Sequence, residues 1–158
     1  MASITRARST PPPAAFTGSA RKANNATPTR APTKKTDNQL RQILDHPNKW
    51  HRQTAVRLLG QRADAAANVA LRKQIGTKSG QAALHGLWAL HQAGGLDAAN
   101  ATQLLAHPNP HVRAWVVRLQ VDRRELSSGF FEVVRQLARH EGNPEVRSQI
   151  AGTAFRLP

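Results

Sequence analysis

A phrase that this chain uses twice constrains its fold more than any other feature. His46-Pro47-Asn48 opens a window, HPNKWHRQTAVRLL, that returns as HPNPHVRAWVVRLQ from His107-Pro108-Asn109. The windows agree at seven places: the His, the Pro, the Asn, Arg52 with Arg113, Val56 with Val117, Arg57 with Arg118, and Leu58 with Leu119. A third, shorter copy, Asn143-Pro144-Glu145-Val146-Arg147, matches Asn109-Pro110-His111-Val112-Arg113 at four of five places. The interval between the first two copies holds two units of about 30 if a drifted copy lies between, and Gln81 to Leu90 supplies its apolar pattern. In that copy Leu90 takes the place of Leu119, and Leu84 replaces the Arg. Self-similarity of this length is the signature of stacked helical repeats, whose units cannot bury their apolar faces alone.

From Asp37 onward apolar residues recur at helical spacing, and strand-like alternation is missing. The pattern predicts helices over Asn38 to Asp45, Asn48 to about Arg62, Ala65 to Ile75 and Ser79 to Ala93. Four more follow over Asp97 to Ala106, Asn109 to Asp122, Ser127 to His140 and Asn143 to Leu157. Asn109-Pro110 and Asn143-Pro144 pair a capping amide with a proline at the first helical position, where its missing N–H costs nothing. Gly76, Gly94-Gly95 and Gly142 fall where left-handed helix ends are expected. Val112, Val116 and Leu119 form one apolar stripe with Trp115 beside it, and Leu104-Leu105 can pack on them. The matching stripes are Ala55, Leu58 and Leu59 in the first unit and Val146, Ile150 and Phe155 in the last. The fold expected is all-α: a right-handed α-solenoid of about four helical hairpins over residues 37–158. Its last apolar face is expected to be open, as in a piece of a larger parent.

Residues 1–36 differ in kind. They hold seven Lys or Arg, no Asp or Glu, and Pro-, Ala-, Ser- and Thr-rich tracts, so they offer little large apolar surface against the entropy of ordering. A disordered basic tail is expected there, carrying half of the formal charge of +14. The remainder keeps 16 Lys or Arg against nine Asp or Glu, an excess that favours anionic partners without choosing among them. No secretory leader or uninterrupted membrane-length apolar span is visible, so a soluble product without membrane insertion is expected, in no particular compartment. With no cysteine in the chain, disulfides, thiolate metal sites and covalent c-type haem attachment are excluded.

Asn-Pro-His-Val-Arg at 109–113 and Asn-Pro-Glu-Val-Arg at 143–147 resemble the opening of the second helix in HEAT-type repeats. More narrowly, HPNKWHRQTAVRLLGQR, ALHGLWALHQAGGL and HPNPHVRAWVVRL resemble the helical-repeat segment of planctomycete-type haem-binding, membrane-bound dehydrogenase-like proteins. The likeness spans roughly Asn38 to Pro158. In such proteins the segment sits between a β-propeller and a cytochrome c domain. The resemblance therefore implies a docking or spacer module with those domains as partners. It transfers neither dehydrogenase activity nor haem, because the chain has neither a propeller's strands nor a CxxCH motif. In similar repeats the Arg after Val is a structural rung.

Five arginines are the candidate site: Arg52, Arg57, Arg113, Arg118 and Arg147, read either as an anion-binding ladder or as partners for carboxylates and carbonyls of neighbouring units. Among seven histidines, His107 and His111 are four apart, but the proline between them breaks a shared helical face and no HExxH exists. His46 and His107 are expected to finish the preceding helix by satisfying its terminal carbonyls. Trp50, Trp88 and Trp115 are expected to fill the core. Ser127-Ser128 lacks a nucleophile-elbow setting, and Asp97 or Asp122 is only a nominal catalytic carboxylate. No catalytic, cofactor or metal residues are assigned. The expected function is a non-catalytic scaffold or protein-docking module; the alternative is a nucleic-acid-binding solenoid with a basic concave face.

Overall fold

The computed structural model describes residues 34–123 and 127–155. Among them the chain is all α-helical: α1 (Asp37–Ile43), α2 (Lys49–Arg62), α3 (Ala65–Thr77), α4 (Gly80–Gln92), α5 (Ala98–Leu104), α6 (Pro110–Asp122), α7 (Ser128–His140) and α8 (Pro144–Ala154). The basic tail expected up to residue 36 falls, but for Lys34, Lys35 and Thr36, outside the described residues, as does the expected helix end at Leu157.

Every described helix start but that of α4 has a local cause. Asn48, Asn109 and Asn143 take extended backbone, and each side chain accepts the N–H two residues on, with Pro110 and Pro144 in the first helical turn. Asp64, Asp97 and Ser127 cap through the N–H three residues on. Thr36 and Gln39 form a reciprocal capping box at α1.

The helix ends depart from expectation. Of the expected glycines only Gly94 is left-handed, at φ 72°; α2 instead ends on Ala63 at φ 47°. Gly76 lies inside α3, which runs on to Thr77 because that hydroxyl bonds back to the Lys73 carbonyl (3.0 Å) before Lys78 turns extended. Gly142 needs no left-handed turn, since Glu141 already leaves α7 in extended backbone. Gly95 is required for space: a Cβ there would stand 2.7 Å from side-chain carbons of Asn68 and Leu90.

Consecutive helices pack in pairs, α1 with α2, α3 with α4, α5 with α6 and α7 with α8. The second members touch in series, α2 to α4 to α6 to α8, and the first members touch as α1 to α3 and α5 to α7. One apolar cluster runs from Leu40 of α1 to Val134 of α7, through Leu59, Leu71, Leu87, Leu90, Val112 and Val117. The expected stripes Ala55, Leu58, Leu59 and Val112, Val116, Leu119 are buried, as are Val146 and Leu105.

Three expectations need correction. Phe155 is 95% exposed, because it sits past the end of α8 with no described helix over it. Trp50 is 65% exposed, in the first turn of α2, whereas Trp88 and Trp115 do pack on the core. In the drifted unit, Ala82, Leu87, Ala89 and Leu90 are buried at the places of Val112, Val117, Leu119 and Gln120. That register puts Ala83, rather than Leu84, opposite Arg113.

Gln120 breaks the apolar rule. It is 4% exposed and its amide nitrogen has no acceptor among the described residues, while the equivalent residue of the first repeat is the fully packed Leu59. A buried unpaired donor costs about 1–3 kcal/mol. Gln120→Leu is expected to raise the thermal midpoint by roughly 3–5 °C in calorimetry, the shift that about 1 kcal/mol gives a domain of this size. An unchanged or lower midpoint would show that Gln120 is satisfied.

Candidate functional site

The repeated phrase builds one turn twice. In each copy the His Nδ1 accepts the backbone N–H of the Asn, His46 from Asn48 and His107 from Asn109, both at 3.0 Å. The Asn side chain accepts the next free N–H, from Trp50 (2.8 Å) or His111 (2.9 Å). The Arg reaches back over the turn: Arg52 Nη1 donates to the carbonyls of His46 and Pro47, both at 2.7 Å, and Arg113 Nη1 to those of His107 (2.8 Å) and Pro108 (3.2 Å). The shared spacing is therefore that of a clamp, in which a guanidinium satisfies two carbonyls that proline and the helix break leave without partners. His46 and His107 finish the preceding helix through their backbone N–H groups, on the carbonyls of Ile43 (3.0 Å) and Leu104 (3.1 Å), while their rings, expected there too, face forward to the next one.

The second copy of the turn also ties units together, through His107 and Arg113. His107 is buried and its Nε2 lies 3.0 Å from the Ile75 carbonyl at the end of α3. Because Nδ1 accepts, Nε2 carries the hydrogen and donates it. Arg113 donates from Nε and Nη2 to Glu141 at 2.8 and 2.7 Å, a two-pronged pair with side chains 15% and 5% exposed. Glu141 also accepts the N–H of Asn143 (2.9 Å), so in the third copy it replaces the histidine of the first two. Sequence reasoning misses it, although it precedes Asn143 by the same two residues that separate His107 from Asn109.

The repeat extends to a further pair of arginines. Arg62 donates to the Lys35 carbonyl (2.7 Å) and pairs with Asp37, and Arg123 donates to the Leu96 carbonyl (2.8 Å). Each closes a hairpin from the end of its second helix to the start of its first. Arg72 does related work between α3 and α5, on the Gly95 carbonyl (2.7 Å) and Asp97 (3.1 Å).

The other candidate arginines lie outside this framework. Arg57 and Arg147 are exposed, with no partner among the described residues. Arg118 stands 3.8 Å from Asp122 and 4.9 Å over the Trp115 ring. Trp115 meets Trp88 edge-on, with ring centres 5.0 Å apart. Thus the structure separates the five: Arg52 and Arg113 hold the fold, and Arg57, Arg118 and Arg147 face outward.

Among the described residues no three His, Asp or Glu converge as a metal site. His107 is held by Ile75, while exposed His111 faces Glu145 at 3.1 Å. Asp97 is occupied by capping Asn100 and by Arg72. The Ser127 hydroxyl caps α7. No described helix is long and apolar enough to cross a membrane. Comparison with protein-family models, with curated proteins and with solved structures finds no match.

Burial pushes the His85 imidazole below the usual 6.5, and the Arg52 charge adds to this, partly offset by the Gln81 carbonyl that its Nδ1 meets at 2.7 Å. Burial and the Arg123 charge likewise depress His91, against the opposing charge of Asp122. The Arg113 hydrogen bonds hold Glu141 below the usual carboxylate range. Asp97 is also lowered, chiefly by the N–H of Asn100. A depressed histidine favours the neutral folded state, and the unfolded chain binds the proton first. Its stabilising effect is therefore complete above the ordinary imidazole value and declines as pH falls below it. The two carboxylates act only lower, as pH drops from the ordinary carboxylate range through their depressed values. The thermal midpoint is expected to fall in two stages on acidification, first below the ordinary imidazole value and then below the ordinary carboxylate range, and His85→Gln should make the upper stage alone shallower, leaving the part due to His91. An upper stage of undiminished slope in that variant would contradict the assignment.

Proposed function

We propose that the helical part of this chain is a right-handed α-solenoid of about four HEAT-like hairpins that serves as a non-catalytic docking module for other protein domains. The disordered basic tail belongs to the same proposal. The observation that carries it is the use of Arg52 and Arg113: both guanidinium groups are committed to their own turns, and Arg113 to Glu141 of the next hairpin as well. A ladder read from sequence as a phosphate surface thus has its best-matched rungs turned inward. The serial contact of α2, α4, α6 and α8 supports the solenoid, since each repeat then touches only its neighbours and leaves one long face to present. The β-propeller and cytochrome c neighbours implied by the resemblance are the partners proposed.

A second reading, nucleic-acid binding, draws on the exposed Arg57 and Arg147 and on the formal +14 charge. The two are separated by binding of the full chain to duplex DNA and to RNA across about 50–300 mM salt. On the docking reading, affinity near physiological salt is no tighter than about 1 µM, the tight end of nonspecific charge attraction. Arg57→Ala and Arg118→Ala should leave it within twofold. Binding tighter than about 0.1 µM, with a steep salt slope and a tenfold loss in either variant, would replace docking by nucleic-acid recognition.

A further inference from the structure

The register that aligns the turns also aligns four residues at one repeat position of the second helices. Arg118 of α6 stands at the place that Arg57 holds in α2, and Trp88 of α4 stands there in the drifted unit, in the register its buried neighbours define. Gly152 of α8 takes the same place in the third copy, counted from Asn143 as Arg118 is from Asn109. The helices that carry them touch in series. Arg57 is exposed, Trp88 half-buried, and Arg118 is about half exposed, at 51%. At Gly152 nothing stands where a side chain would begin, and Arg118 and Gly152 line one open cleft of about 540 Å³ with Glu145, Ser148 and Gln149. The order across the face is cation, aromatic, cation, gap.

We propose that this stripe docks an extended acidic polypeptide segment, which names the partner chemistry of the docking module and rests on that reading. Packed helices stand about 8–10 Å apart, so two steps from Arg57 to Arg118 cover about 16–20 Å. An extended chain advances about 3.3–3.6 Å per residue, so two carboxylates about six residues apart reach both arginines. An apolar side chain midway between them meets Trp88, whose edge-on contact with Trp115 fixes its ring. Beyond Arg118 the open cleft at Gly152 admits the backbone, with Ser148 and Gln149 as hydrogen-bonding groups. Polypeptide is favoured over a phosphate backbone because Asp122 and Glu145 stand beside Arg118 and would repel a continuous run of negative charge.

The probe is a labelled Gly/Ser nonapeptide with glutamates at its second and eighth positions and leucine at its fifth, titrated into the full chain by fluorescence anisotropy. The proposal expects it to bind at least fivefold tighter than an isomer whose glutamates are three residues apart. Arg57→Glu and Arg118→Glu should each weaken it at least tenfold. Arg139→Glu, an equal change of charge on α7, should leave it within twofold. The double variant Arg57→Glu/Arg118→Glu should in turn prefer the same peptide with lysines in place of glutamates. Matched thermal midpoints exclude misfolding. Equal binding of both isomers, equal loss in Arg139→Glu, or no binding at all overturns the stripe while leaving a docking module with a different partner. Tight binding of DNA or RNA, weakened by the same two reversals, overturns the stripe and the docking reading together.

Discussion

The described structure depends on the back-reach of one arginine over each His-Pro-Asn turn. A proline after the histidine breaks the chain out of one helix, and the carbonyls of the histidine and the proline then lie in the turn ahead of the next, outside either helix's ladder. Arg52 and Arg113 satisfy those carbonyls, while the histidine and asparagine cap the helix that follows. Apolar packing is nondirectional, so the angle between first and second helices is set by this turn at one end and by the Arg62 and Arg123 closures at the other. Arg113 carries the constraint further, since its remaining edge grips Glu141 and with it the start of the last hairpin.

The structural period is accordingly two hairpins. Equivalent bonds recur from the first hairpin to the third, in the turn clamp and again in the hairpin closure by Arg62 and Arg123. The intervening unit lacks the clamp because Ala83 occupies the arginine's place, and Ser79 makes no side-chain cap at α4. It relies instead on fully buried Leu87, Ala89 and Leu90 and on His107, reaching back from the next turn to Ile75. Burying arginines inward in this way divides the basic residues into two populations, one structural and one facing solvent. The outward population is the part of the surface left for recognition.

Much of this is legible in the sequence because the signals are local. Asn before a helical run, Pro at its first turn and Asp or Ser three residues ahead of a free N–H fix helix starts whatever the packing. Helix ends are less legible: Gly76 and Gly142 look like left-handed caps, but Thr77 bonding back and extended Glu141 end those helices by other means. Trp50 and Phe155 depart from expectation because spacing gives a face, not whether another helix covers that face. Glu141 escapes notice since a carboxylate and an imidazole share no obvious similarity until both are seen accepting the same N–H. The sorting of the arginines is a tertiary fact, and the five differ little in sequence context.

The inward use of Arg113 is tested most directly by a double-mutant cycle in urea denaturation, with Arg113→Ala, Glu141→Gln and the two combined. A two-pronged pair this buried should show a coupling of roughly 1.5–3 kcal/mol, with the double variant less destabilised than the sum of the singles. A coupling indistinguishable from zero, within about 0.3 kcal/mol, would contradict the account. It would return Arg113 to the set of arginines free to bind an external anion.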